Sequence, residues 1–233
     1  MNLQNTTSKL KQFAGIIAVF TSGFIATRTT SAANLIADGS FEGGPGGATT
    51  LYAGSLLLPG WSILGGSIDS VGGGNWQAAD GTKFVDLDGF RSIGAIAQTV
   101  NVQNGQSYLL SFALAGNPDA GPTVKQMGIT WGNSSLGTFT FDITGKTEGN
   151  MGWVNYQMVV PATASQMTLT FTSLDAAGNS WGPMLDNVSL TPVPEPQPTT
   201  LFGFMLIVTW CIARRSQPTD RSGNLVNAKK SAG

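Results

Sequence analysis

The side chains able to bind a ligand in this sequence are carboxylates, amides and tryptophans, because histidine is absent and cysteine almost absent. The chain has no His, and its single Cys, Cys211, lies in an apolar segment near the C-terminus. Ser-His-Asp and Cys-His catalytic pairs are therefore excluded, and so are zinc or iron sites built on His or Cys. Without disulfides, the folded part depends on its core alone, or on its core and a hard cation bound through oxygen.

The carboxylates of Asp86 and Asp88 are spaced as alternate residues of one strand, with Asp80 nearby. Glycosidases use a pair of carboxylates of this kind. The sequence gives no sign that either group has a raised pKa or faces a cleft. We therefore expect no enzymatic activity, and a glycan-active enzyme is the less favoured alternative.

Tryptophans and amides suggest a different chemistry, since sugars stack on indole rings while amides bond their hydroxyls. Alternation along the segment 153–160 predicts that Trp153, Asn155 and Gln157 share its outer face. We predict a ligand site there, although a single Trp is more often part of a core. Trp76, in a Gly-rich loop, is the next candidate, whereas Trp61 and Trp181 are expected in the core.

The region from 34 to 193 is acidic, with eleven acidic and four basic residues and a net charge of −7. A domain with this charge would repel nucleic acid and anionic lipid. Neutral glycans and divalent cations are compatible with it.

Apolar and polar residues alternate with a period of two in the same region, which predicts half-buried antiparallel strands. The chain contains 31 Gly and 11 Pro and only 11% charged residues, as expected for a turn-rich fold. About eight short strands favour an all-β sandwich or jelly roll over 34–192, because one open sheet would leave an apolar face in water. We interpret 43–47 and 72–74 as loops. The predicted strands are 82–87, 95–102, 108–114, 124–131, 138–141, 153–160, 167–172 and 184–190.

The N-terminus is typical of a secretion signal, predicted as a helix within residues 1–33. Lys9 and Lys11 precede an apolar run over 13–26, and Ser31-Ala32-Ala33 offers small residues for cleavage after Ala33. The apolar run is shorter than the roughly 20 residues that span a bilayer. An uncleaved membrane helix is the alternative.

The C-terminal segment 193–215 combines three features. Pro194, Glu195 and Pro196 precede an apolar span over 201–213, predicted as a helix, and Arg214-Arg215 follows it. This pattern resembles the PEP-CTERM sorting signal of Gram-negative bacteria. The resemblance implies processing by an exosortase-type enzyme at the membrane, and the Arg pair would stay cytoplasmic. The apolar span is short, and a polar basic tail over 216–233 continues beyond the usual end, so an unprocessed anchor is the alternative.

Several segments spread over nearly the whole module form a recognisable set. They are Asn34-Leu35-Ile36-Ala37-Asp38-Gly39-Ser40-Phe41-Glu42, Trp61, Phe84-Val85-Asp86-Leu87-Asp88-Gly89, Ile96-Ala97-Gln98, Phe112-Ala113-Leu114-Ala115-Gly116-Asn117 and Gly182-Pro183-Met184-Leu185-Asp186-Asn187-Val188. Together they resemble the choice-of-anchor C proteins and related plant cell-wall proteins of unknown function, which have galactose-binding-like jelly rolls. The resemblance is specific for the fold.

This resemblance implies a structural Ca²⁺ between the first turn and the last strand, with Asp38, Glu42 and Asp186 as ligands. Carboxylates brought together there would also repel one another without a cation. The alternative is that Asp38 forms a turn and Asp186 accepts hydrogen bonds from backbone amides.

Taken together, these features predict an exported, surface-anchored and non-catalytic module. Its expected ligand is polysaccharide of the envelope or the extracellular matrix. The alternative of another class is a structural or adhesion protein of the matrix without specific sugar binding.

Overall fold

The computed structural model describes residues 32–176 and 178–194, and this part of the chain is all β. No helix within these ranges is long and apolar enough to cross a membrane. The predicted signal peptide, apart from Ala32 and Ala33, and the predicted sorting segment beyond Pro194 lie outside the described residues.

The described residues form thirteen strands, two of which are only two residues long. In chain order they are β1 (Gly47–Tyr52), β2 (Ser62–Gly65), β3 (Ser67–Gly72), β4 (Lys83–Asp86), β5 (Asp88–Gly89), β6 (Ser92–Ile93), β7 (Ala95–Asn101), β8 (Ser107–Gly116), β9 (Val124–Trp131), β10 (Ser134–Asp142), β11 (Val154–Pro161), β12 (Gln166–Ser173) and β13 (Pro183–Pro192).

Two antiparallel sheets enclose the core. The six-stranded sheet has the order β1-β3-β4-β13-β8-β11, and the five-stranded sheet has the order β10-β9-β12-β7-β2. β5 and β6 form a small separate hairpin. The predicted jelly-roll β-sandwich is therefore confirmed.

The period of two explains which face of each strand is buried. In β12, Met167, Leu169 and Phe171 point into the core, and the threonines between them lie on the outer face. All eight strands predicted from this pattern are present. β1 to β3 were missed, because the segment they occupy is rich in glycine, and the segments interpreted as loops contribute Gly47 and Gly72 to the ends of β1 and β3.

Phe112 of β8 occupies the centre of the core. Its ring stacks on Tyr156 at a centroid distance of 5.3 Å and meets Phe171 of the other sheet edge-on at 5.6 Å. Phe139, from the edge strand β10, packs against the rings of both Phe112 and Tyr156. These aromatic contacts join strands that are distant in the sequence, so they fix how the sheets stack.

The N-terminal segment of the module bridges the two sheets. Asn34 Oδ1 accepts a hydrogen bond from the amide of Leu190 at 2.9 Å, in the six-stranded sheet. Gln98, in the five-stranded sheet, bonds both the amide and the carbonyl of Ala37 through its side chain. Phe41 is buried against Trp61, as expected for a core tryptophan.

Buried ionisable groups lie at the end of β4 and next to it. Asp86 accepts hydrogen bonds from the amides of Asp88 and Gly182 and from the side-chain amide of Asn117. Burial raises the pKa of Asp86 well above its usual range and raises the pKa of Asp88 to about 6. The buried Lys125 donates to the carbonyl oxygens of Ala120 and Trp181 rather than to a carboxylate. Asp86 therefore joins the end of β4 to Asn117 and Gly182, whereas both carboxylate oxygens of Asp88 are buried without a hydrogen-bond partner among the described residues.

The raised pKa of Asp88 predicts a pH-dependent stability. A carboxyl group that titrates near 3.9 when unfolded and near about 6 when folded stabilises the fold below about pH 4, and this contribution is lost as the pH rises through about 6. Asp88→Asn should therefore gain stability relative to the wild type between about pH 4 and about pH 7, by roughly 1 to 3 kcal/mol. Thermal melts across this range measure the difference. Asp119→Asn, at an exposed carboxylate, should track the wild type, and a pH-independent effect of Asp88→Asn would contradict the assignment.

Candidate functional site

Two adjoining cavities form a groove on the outer face of the six-stranded sheet, over β13, β8 and β11. Their volumes are about 420 and 220 Å³, and both are lined by Asn155 and Asn187. The remaining lining residues carry no charged side chain; they are Gln77, Ala78, Ala79, Asn150, Gly152 and Trp153 in the larger cavity and Ser111, Phe112, Tyr156 and Gln157 in the smaller. We call these two cavities the outer groove.

Asn155 and Gln157 face the outer groove because of the alternation along β11. Tyr156 and Met158, the residues between and after them, pack against the core, whereas Asn155 and Gln157 are exposed. Neither of these amide side chains makes a hydrogen bond to another described residue. The outward placement predicted from the sequence is therefore what the structure shows, and both amides can donate to and accept from a ligand.

Asn187 is a groove residue that the sequence reasoning missed. It lies where the register of β13 shifts between Asp186 and Ser189, and its φ is 49°. A β-bulge places an extra residue on one strand and redirects its side chain, and a non-glycine residue at positive φ is uncommon. Its side chain also bonds no other described residue. The only available signal was the Asn that follows Asp186 in the last strand, because asparagine tolerates this conformation better than most residues.

Trp153 forms part of the groove wall but is half buried. Its Nε1–H donates to the carbonyl oxygen of Gln77 at 2.7 Å, and its ring meets Phe84 edge-on at 5.3 Å. The polar edge of the indole is thus occupied by the protein. Trp153 therefore both supports the loop before β4 and lines the larger cavity.

Trp76 does not line the outer groove, although it lies close to it. Its ring packs edge-on at 5.9 Å against Phe84, the same ring that Trp153 contacts at 5.3 Å. The structure therefore groups Trp153 with Asn155 and Gln157 in the groove wall and places Trp76 behind that wall. Trp181, which we expected in the core, is 39% exposed, so that prediction is wrong.

Asp186 fastens the loop between β3 and β4 to the sheet. Its Oδ2 accepts hydrogen bonds from the amides of Ala79 and Asp80 at 2.8 and 2.9 Å, and its Oδ1 accepts from the amide of Asn187. Burial raises the pKa of Asp186 to about 7, against the effect of these amides. Asp186 therefore accepts hydrogen bonds from backbone amides, which is the alternative role considered for it in the sequence. These bonds hold the wall of the outer groove in place.

Glu42 fastens the other end of the same loop. Its carboxylate accepts from the amides of Thr82 and Lys83 and from the Thr82 hydroxyl. Although partial burial acts in the opposite direction, these bonds lower the pKa of Glu42. The Lys83 ammonium donates to the carbonyl oxygens of Glu42 and Gly44 at 2.8 and 2.7 Å.

Asp38, the third predicted calcium ligand, lies in the first turn with φ 48°. Its Oδ1 accepts from the amide of Gly43 at 3.0 Å, and its Oδ2 is buried without a partner among the described residues. Within the described ranges, no group of three or more acidic, His or Cys side chains is arranged to hold a metal ion. Each of these three carboxylates accepts from backbone amides, and joint binding of one calcium ion by Asp38, Glu42 and Asp186 stays a prediction.

The carboxylates considered for catalysis do not face the outer groove. Asp86 and Asp88 are buried. A side chain at Gly182 would collide with both of them, so the backbone packs directly against the pair. Asp80, the third of the group, is exposed and contributes its amide to Asp186.

Solved structures with a similar arrangement of strands include several carbohydrate-binding modules. TmCBM61, in complex with β-1,4-galactotriose, is 16% identical over 70% of this chain and 100% of its own, with a TM-score of 0.47. The CBM22-1 xylan-binding domain of Paenibacillus barcinonensis Xyn10C is 15% identical over 71% of this chain and 98% of its own, also with a TM-score of 0.47. At these scores, the likenesses carry no information on the ligand of this chain.

Two sequence comparisons concern the chain more directly. Halomucin of Haloquadratum walsbyi is 29% identical in an alignment of 201 positions that covers 79% of this chain and 2% of halomucin. The chain thus spans only a small fraction of that relative. Residues 34–191 match a family described as a protein of unknown function, DUF642. Since this match covers well over half of the chain and nearly all of the sandwich, the protein belongs to the DUF642 family.

Proposed function

We propose that this protein is a non-catalytic module that binds a neutral polysaccharide of the cell envelope or extracellular matrix in the outer groove. The observation that carries the proposal is the uncharged groove itself, in which Asn155, Gln157 and Asn187 present amides without internal partners beside the indole of Trp153. Amide groups donate and accept at once, as sugar hydroxyls do. Ligand sites combine a few such polar groups with an apolar wall.

The charges around the groove favour a neutral ligand. The lining residues include no Lys or Arg that would pair with a uronate or a sulfate, and the nearby Lys146 contributes only a side chain that lies against Gly152 of the larger cavity. The net charge of −7 over residues 34–193 would also repel an acidic polymer. A neutral glycan needs no cationic partner and is not repelled by the net negative charge.

Alanine substitution of the free amides should weaken glycan binding without disturbing the fold. Because Asn155 and Gln157 are exposed and bond no other described residue, Asn155→Ala and Gln157→Ala should each lower affinity roughly fivefold to tenfold, which is the value of one or two hydrogen bonds. Affinity electrophoresis in gels containing neutral polysaccharides measures the loss. Trp153→Ala is a poorer probe, since it also removes the contacts to Gln77 and Phe84.

Gln126→Ala is the matched control, because Gln126 is an exposed amide on the outer face of the other sheet. It should bind like the wild type. Binding that survives both groove substitutions would place the ligand elsewhere. If the wild type binds no saccharide at all, the structural or adhesion alternative replaces the proposal.

Calcium binding stays a prediction. In the described arrangement Glu42 and Asp186 each accept three hydrogen bonds, so each carboxylate keeps about one lone-pair site for a cation. A higher Tm in Ca²⁺ than in EDTA, abolished by both Glu42→Gln and Asp186→Asn, would establish the site. Identical melting curves would leave the backbone amides as the partners of both carboxylates.

Surface display is the second part of the proposal, and it rests on the sequence of the two ends. If residues 1–33 are a cleaved signal, the mature chain begins at Asn34, whose side chain accepts a hydrogen bond from the amide of Leu190 in the last strand. Intact-mass analysis of the exported protein should show this N-terminus. Deleting Pro194-Glu195-Pro196 should release the protein or change its size while the sandwich melts unchanged, because the segment follows the last strand. Retention of Met1, or unchanged fractionation of the deletion variant, would contradict this part.

A further inference from the structure

An exposed apolar surface runs around one edge of the sandwich. Its members are Tyr52 at the end of β1, Leu56 and Leu57 in the following loop, and Leu64 of β2. Leu56 is 92% exposed and Leu57 is 60% exposed. Hydrogen bonds from Ala53 to Gly66 and from Gly54 to Ile63 hold the loop beside β2. We call these four side chains the leucine edge.

The strand at this edge lacks the usual protection against pairing. β1 is the outermost strand of the six-stranded sheet, and its register with β3 runs from Gly47 to Tyr52 without a shift. Apart from its ladder with β3, no backbone hydrogen bond is recorded for residues 47–51 within the described ranges. Natural edge strands are commonly blocked by charges, prolines or bulges. β1 has none of these, whereas the edge strands β10 and β2 carry register shifts and the edge strand β11, which has no shift, ends in Pro161.

The segment that forms this edge carries no charge. Residues 43–68 contain no Asp, Glu, Lys or Arg, although the region 34–193 carries a net charge of −7, and the nearest carboxylate, Asp69 of β3, accepts a hydrogen bond from the Thr50 hydroxyl. Two copies of an acidic domain repel one another on most approaches. The leucine edge adds no charge to such a contact, and its exposed side chains gain from leaving water.

We propose that the leucine edge is a self-association interface, in which β1 of one copy pairs antiparallel with β1 of a second copy across a two-fold axis. A two-fold axis makes a strand pair with itself in antiparallel orientation, so no other complementary partner is needed. Leu56 and Leu57 of each copy then cover the exposed apolar side chains beside the two paired β1 strands. This interface lies at the opposite edge of the six-stranded sheet from β11, so a dimer leaves the outer groove open.

Sedimentation velocity of the full-length chain over a range of concentrations tests the interface. The wild type should show a concentration-dependent dimer, with a dissociation constant on the order of micromolar because the patch is small. The double variant Leu56→Ser, Leu57→Ser should raise this constant at least tenfold. Ala48→Lys, which puts a charge at an exposed position of β1, should do the same without touching any leucine.

Val159→Ser is the matched control, because Val159 is also 60% exposed but lies on β11. It should dimerise like the wild type, and all variants should keep the wild-type Tm. A monomeric wild type, or a dimer that survives both edge variants, would overturn the proposal. Edge-dependent binding of the monomer to phosphatidylcholine vesicles would assign the surface to lipid instead. Concentration-independent protection of residues 52–57 from hydrogen exchange would assign it to another segment of the same chain.

Discussion

The hydrogen bonds between Asp186 and the loop before β4 are the interaction on which the candidate site depends. A buried carboxyl group is costly unless it is bonded, and here the amides of Ala79 and Asp80 bond it. The same loop supplies Gln77, whose carbonyl oxygen accepts from the indole of Trp153. Since Gln77, Ala78 and Ala79 line the larger cavity, loss of these bonds would remove one wall of the outer groove.

The register shift in β13 positions two side chains of the candidate site, one that supports the groove wall and one that faces the groove. The register shift after Asp186 leaves this carboxyl under the loop and turns the next residue, Asn187, into the groove. The left-handed backbone of Asn187 is the local cost of this arrangement. Bulges recur beside functional sites because they redirect one side chain without breaking the sheet.

β4 and the strands from β7 onward could be predicted because their apolar residues alternate with threonines and other polar residues, as in β12. The two-residue strands β5 and β6 are too short to show a period. β1 to β3 could not be predicted, since glycines obscure the period and no charged residue marks the outer face between 43 and 68. Alternation along β11 also sufficed to place Asn155 and Gln157. The role of Asn187 and the amide partners of Asp186 depend on contacts between residues about a hundred positions apart, which a local pattern does not contain.

We propose that the outer groove, and no other described surface, binds a neutral glycan. A titration of neutral oligosaccharides into the ¹⁵N-labelled protein, followed through the side-chain amide resonances, tests this directly. Binding in the outer groove predicts saturable shifts of Asn155, Gln157 and Asn187 while the side-chain amide of Gln126 stays unchanged. Shifts confined to the five-stranded sheet, or no shift with any oligosaccharide, would contradict it.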